Sequence, residues 1–112
     1  LDLKGVLLEQ QGKTDDAIEY FNKSIAADGA YAKGYFDLGR MYFNKAIKTA
    51  EENEKLSGAK LAELTDPLYR QAMPALEKSY QLDPSNNDCK RALINIYYQL
   101  NEEAKLKAIE GN

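Results

Sequence analysis

The sequence predicts an all-α fold built from repeated helical hairpins, and three observations point there. Apolar residues recur at i, i+3 and i+4 in five successive stretches, the period of a helix face. Sheet-forming and chain-breaking residues are scarce, with 3 prolines, 7 glycines and few β-branched stretches. The chain also repeats itself. The segments 17–28 and 72–83 lie 55 residues apart and share Ala17/Ala72, Lys23/Lys78, Ser24/Ser79 and Asp28/Asp83. At the same spacing Leu38 falls on Leu93 and Tyr42 on Tyr97. Gly5 and Gly39 show a shorter spacing of 34 residues, so the unit is 34 residues long and one copy carries 21 more.

Each element follows from its local pattern. Leu3, Val6, Leu7 and Leu8 give one short apolar face. Gly12-Lys13-Thr14 breaks it, and Thr14 is placed to cap the helix that follows. Ala17, Ile18, Phe21 and Ile25 form the next stripe, which Asp28-Gly29 ends. Tyr35, Leu38, Tyr42, Ala46 and Ile47 mark a third helix, running to about Lys55, with a break at Ser57-Gly58. Ala59 to Leu64 reads as a short separate helix, and Thr65-Asp66-Pro67 as the start of another. In that helix Ala72, Met73, Leu76 and Tyr80 carry the face to Asp83-Pro84, and Pro74 inside it predicts a kink at the carbonyl of Arg70. Leu93, Ile94, Tyr97 and Leu100 make a fifth face, Asn101 suits a left-handed cap, and 102–110 forms a last, partial helix.

Composition excludes several function classes. A chain of 112 residues holds one modest core. Its net charge of −3 argues against a nucleic-acid footprint, which needs a concentrated basic face. No apolar run reaches the ~18 to 20 residues of a membrane-spanning helix. The absence of histidine removes His-based triads, bases and metal sites. With a single cysteine, Cys89, there is neither an internal disulfide nor a Cys-cluster metal site, and a lone thiol selects no compartment. The opening LDLKGVLLEQ lacks the basic start and unbroken apolar stretch of a signal peptide, and a chain that starts on Leu1 reads as a processed or excised segment.

The pattern of small and large residues resembles the tetratricopeptide repeat, an antiparallel helix pair. Tyr35, Leu38-Gly39 and Tyr42 match the first helix of a middle copy, and Ala72, Leu76, Ser79 and Asp83-Pro84 its second. Gly5, Gly12, Ala17, Phe21 and Ser24 fit an opening copy, with Gly29 in place of the usual Pro; Leu93, Tyr97 and Asn101 fit a third, with Ile94 in place of a small residue. The resemblance implies a right-handed α-solenoid of about five to six helices. Repeat 1 covers about 1–31, repeat 2 about 32–86 with the 21-residue insertion near 44–64, and repeat 3 about 87–112. Just under three units without a clear cap suggest a fragment, or a chain that stacks on another copy. The long middle hairpin and the string around Pro74 resemble a bacterial subgroup often exported to the periplasm, with a cytoplasmic setting as the alternative.

The family resemblance further implies a non-catalytic scaffold that binds a protein or peptide on a concave surface lined by first helices, with no cofactor and no nucleic acid. The outward positions are Lys33, Phe36, Asp37, Arg40, Phe43 and Asn44, then Asp88, Arg91, Asn95, Tyr98 and Gln99, with Val6, Glu9 and Gln10 from the opening copy. Of these, Arg40 and Arg91 suit a carboxylate, Asn44 and Asn95 a peptide backbone, and Phe43 and Tyr98 an apolar side chain. Asp37, Asp2 and Val6 depart from the family's chaperone-tail clamp. The alternative function is a structural module that self-assembles through its unfinished ends. Other features read more simply. The run Glu51-Glu52-Asn53-Glu54 is a solvated helix end without calcium-loop spacing. Cys89 opens a helix whose dipole lowers a thiol pKa, but lacks a partner base and reads as a packing or surface residue. Tyr35, Tyr42, Tyr80 and Tyr97 fall on packed stripes, which favours core filling over stacking on sugars or bases.

Overall fold

The computed structural model describes residues 12–27 and 32–111, and among them it contains five α-helices and no strand. These are α1 (Thr14–Ala27), α2 (Ala32–Glu52), α3 (Gly58–Leu82), α4 (Asn87–Gln99) and α5 (Glu103–Glu110). The expected face at Leu3, Val6, Leu7 and Leu8, the positions Val6, Glu9 and Gln10, and the stop at Asp28-Gly29 lie outside the described residues. Each helix packs on the next in the chain, and α4 also reaches α2. That is the neighbour-on-neighbour stacking of a helical solenoid.

The longest hairpin is α2–α3, of 21 and 25 residues. A 25-residue helix spans about 37 Å at about 1.5 Å per residue. The two helices touch where side chains are smallest. A Cβ on Gly39 would fall 2.5 Å from Leu76 Cγ and 3.2 Å from the Leu76 backbone nitrogen, so only glycine fits without movement. Nearby, Ser79 Oγ donates a 2.9 Å hydrogen bond to the carbonyl of Ala32, tying the end of α3 to the start of α2.

Between 58 and 82 the structure corrects the sequence reading. There is no separate short helix before residue 65 and no cap at Thr65 or Asp66; α3 is continuous through Pro67 and Pro74. Thr65 is buried in mid-helix, and its hydroxyl donates back to the Leu61 carbonyl at 3.2 Å. Both prolines lie on the exposed side, as do Glu63 and Arg70, whose carbonyls lose a helical partner to them. Water can satisfy those carbonyls, while the opposite side, with Tyr69, Ala72 and Leu76, is held by packing.

Elsewhere local chemistry sets the ends. Gly12, at φ +78°, makes the turn into α1, whose first turn carries Asp15 and Asp16 beside the positive end of the helix dipole. Asn86 caps α4, its side chain accepting from the Cys89 N–H at 3.0 Å. Asn101 takes the expected left-handed conformation at φ 57°, and the Glu102 N–H then closes onto the Tyr97 carbonyl at 2.8 Å.

The core has two parts. Ala17, Ile18, Phe21, Leu38, Met41 and Ala75 join α1 to the hairpin, while a larger cluster including Tyr69, Leu76, Cys89, Leu93, Ile96 and Tyr97 joins the hairpin to α4 and α5. Half-buried Tyr42 packs against both. A polar link spans the second junction. Tyr97 Oη donates to Glu77 Oε2 at 2.6 Å, and Lys105 Nζ lies 3.3 Å from that oxygen and 5.9 Å from the centre of the Tyr97 ring.

Candidate functional site

Three of the six candidate binding residues come together. Arg91, Asn95 and Tyr98, on successive turns of α4, line a groove of about 540 Å³ with Leu106 and Glu110 of α5. All three are exposed, and Tyr98 is the most prominent apolar feature of the described surface at 70% exposure. The other three are placed differently. Asn44 is exposed beside Met41 and Lys48, in a recess that reaches Gly12. Arg40 is half-buried on α2. Phe43 is half-buried on the larger core, with its ring tilted against Tyr69 at 5.9 Å between centres.

Each arginine carries its own aspartate three residues earlier. Arg40 lies 3.8 Å from Asp37, which also accepts from Lys33 Nζ at 3.1 Å, and Arg91 pairs with Asp88. Asp37, read as an outward position, is in fact only 3% exposed, drawn in between two cations. The local charge that either arginine offers an incoming carboxylate is therefore partly cancelled.

Cys89 corrects the other reactive-group expectation. Its position in the first turn of α4 suggests a lowered thiol pKa, but the side chain is fully buried and donates to the Leu76 carbonyl at 3.2 Å. Desolvation disfavours the thiolate, and Asp83 adds to this, so the pKa is pushed up to about 11. The thiol is a packing residue. Because the folded-state pKa lies above the unfolded value, this group's contribution is intact below the unfolded pKa. It is lost progressively as pH rises through about 9 towards 11. Cys89→Ala is therefore expected to flatten the alkaline loss of stability, read as the thermal midpoint between pH 8 and 10.5. An unchanged pH slope would place that loss on other groups.

The run Glu51-Glu52-Asn53-Glu54 closes α2, with all three carboxylates exposed and Asn53 donating to the Thr49 carbonyl at 2.8 Å. Among the described residues no group of three or more His, Cys, Asp or Glu is placed to hold a metal ion. None of the described helices is long and apolar enough to cross a membrane.

The family model of the tetratricopeptide repeat matches residues 1–31. Over those residues the chain is similar to the tetratricopeptide repeat, and its described fold is a helical-repeat solenoid. No curated protein matches its sequence. Among solved structures it is similar to a monomeric mutant of IFIT1 with Gppp-AAAA, with a TM-score of 0.79 and 17% identity over 96% of this chain. The match spans 24% of that protein, and likeness at this identity is a likeness of fold. Tetratricopeptide repeats generally mediate protein–protein interaction.

Sequence reasoning matched Gly39 and Ala72 to positions of a repeat, and the structure sets Gly39 against Leu76, but the reading missed the polar residues at the junctions. Glu77, Lys105, Asn22 and Gln71 stand at helix positions that an apolar-stripe reading passes over. The signal that could have found them is the pair of spacings, which sets Asn22 opposite Glu77 and Gln71 opposite Lys105.

Proposed function

We propose that this domain is a non-catalytic scaffold that binds a protein or peptide through the first helices of its pairs, with Arg91, Asn95 and Tyr98 as its principal contacts and Arg40, Phe43 and Asn44 as secondary ones. The observation that carries this reading is Tyr98, whose exposed ring stands over a groove that also presents a guanidinium and an amide. An aromatic anchor flanked by directional polar groups is the composition of an interface hot spot. The net charge of −3 favours a protein over a nucleic acid as the partner.

A photo-crosslinking amino acid at position 98 tests this directly. Adducts with another protein, suppressed when Arg91 and Asn95 are changed to Ala, are the expected result. Tyr98→Ala should then weaken the isolated complex by about 2 kcal/mol or more. Adducts of twice the chain mass would instead favour self-assembly through the terminal repeats. The groove between α4 and α5 gives that second reading its basis, because the equivalent groove between α2 and α3 receives α4. Absence of any adduct would move the binding surface away from α4.

A further inference from the structure

The two junctions between helix pairs are built on the same positions with different chemistry. At the second junction, over α4, the residues are Glu77, Tyr97 and Lys105, and they close on one another through a 2.6 Å hydrogen bond and a 3.3 Å ion pair. The spacings of 55 and 34 residues carry these positions back to Asn22, Tyr42 and Gln71 at the first junction, over α2. The tyrosine remains, and the carboxylate and ammonium become two neutral amides. Their mutual attraction is absent here, and no side-chain hydrogen bond joins these three residues among the described ones. They line two adjoining recesses of about 560 and 340 Å³ instead.

We infer that this groove between α1 and α3 is a second binding surface, which takes an uncharged polypeptide segment in extended form. The site is separate from the α4 groove and goes beyond the function proposed above. Three features select the occupant. The floor is apolar, with Ile18, Leu38, Pro74 and Ala75, and suits an aliphatic side chain. The charges on the rim satisfy each other, Lys45 with Asp15 and Lys23 with Glu19, both at 3.3 Å, so the groove offers no net charge to an ion. Each amide of Asn22 and Gln71 has both a donor and an acceptor, the pair that a peptide unit presents. A helical guest has those groups bonded internally; an extended segment has them free.

The molecule supplies its own test. Asn22→Glu with Gln71→Lys installs the residues of the closed junction at the open one. A phage-displayed random-peptide library is panned on the wild-type chain, and the selected peptides are titrated against both proteins by fluorescence anisotropy. Selected peptides should be poor in charged residues and bind N22E/Q71K about tenfold more weakly, while helicity and thermal midpoint are kept or raised. Asn22→Ala with Gln71→Ala removes the amides without adding charge and should weaken binding to a similar degree, which covers the case in which the charged variant fails to fold. Peptides that bind the variants as tightly as the wild type, a pool dominated by charged sequences, or no enrichment would overturn the inference. Peptides lost only on Arg91→Ala/Asn95→Ala/Tyr98→Ala would belong to the α4 groove, which overturns this site and leaves the proposed function standing.

Discussion

Gly39→Leu is expected to destabilise the protein by about 1 to 3 kcal/mol or more, because the contact between α2 and α3 has no room for a side chain. The first added atom already falls 2.5 Å from Leu76 Cγ, and Leu76 is fully buried and cannot swing away. Backbone lies behind it, with the Leu76 nitrogen at 3.2 Å, so the helices themselves must separate. Gly39→Ala sharpens the test. In an exposed helix that change is favourable by about 0.5 to 1 kcal/mol. Here the steric term opposes the propensity term, and a net loss is expected. Urea denaturation of both variants beside Glu52→Leu, at an exposed site near the end of α2, provides the measurement. A Gly39→Ala protein more stable than the wild type would mean that the helices are not in close contact there.

Phe21→Ala is the second large effect, at about 3 to 5 kcal/mol. Phe21 is fully buried in the smaller core, where it meets residues of α2 and α3. The loss should be local. In a stacked array each unit is held by its neighbours, so removing one anchor loosens the adjoining unit first. The larger core, with the Tyr97–Glu77–Lys105 link, does not include Phe21. Hydrogen exchange should therefore show α1 amides losing protection while those around Leu93 and Ile96 keep theirs at moderate denaturant. Uniform loss across all five helices would show that the two cores unfold as one unit.

Both expectations trace to features legible in the sequence. The resemblance puts Gly39 and Ala72 at small positions of the repeat, and the structure sets Gly39 against Leu76 and buries Ala72 fully. The left-handed turn at Asn101 was legible for the same reason, since it depends on the residue and its immediate neighbours. Legibility ended at Thr65-Asp66-Pro67. Local propensity reads that string as a helix start, yet α3 runs through it, because packing of Tyr69, Ala72 and Leu76 against α2 outweighs the hydrogen bonds that Pro67 and Pro74 omit on the solvent side.

The candidate site divides along the same line. Residue type and helical spacing were enough to put Arg91, Asn95 and Tyr98 on one face of α4, since i, i+4 and i+7 is a local relation. By itself the sequence determined the helical class and the apolar stripes along the described helices, which are properties of neighbours along the chain. Only the tertiary structure decided that Cys89 is sealed beneath Leu76, that Phe43 is engaged by Tyr69, that Asp37 is drawn inward, and that one junction is latched while its counterpart stands open. Each of those depends on which side chains meet across separate helices, and a distance in space between residues far apart in the chain is not written in either one's local pattern.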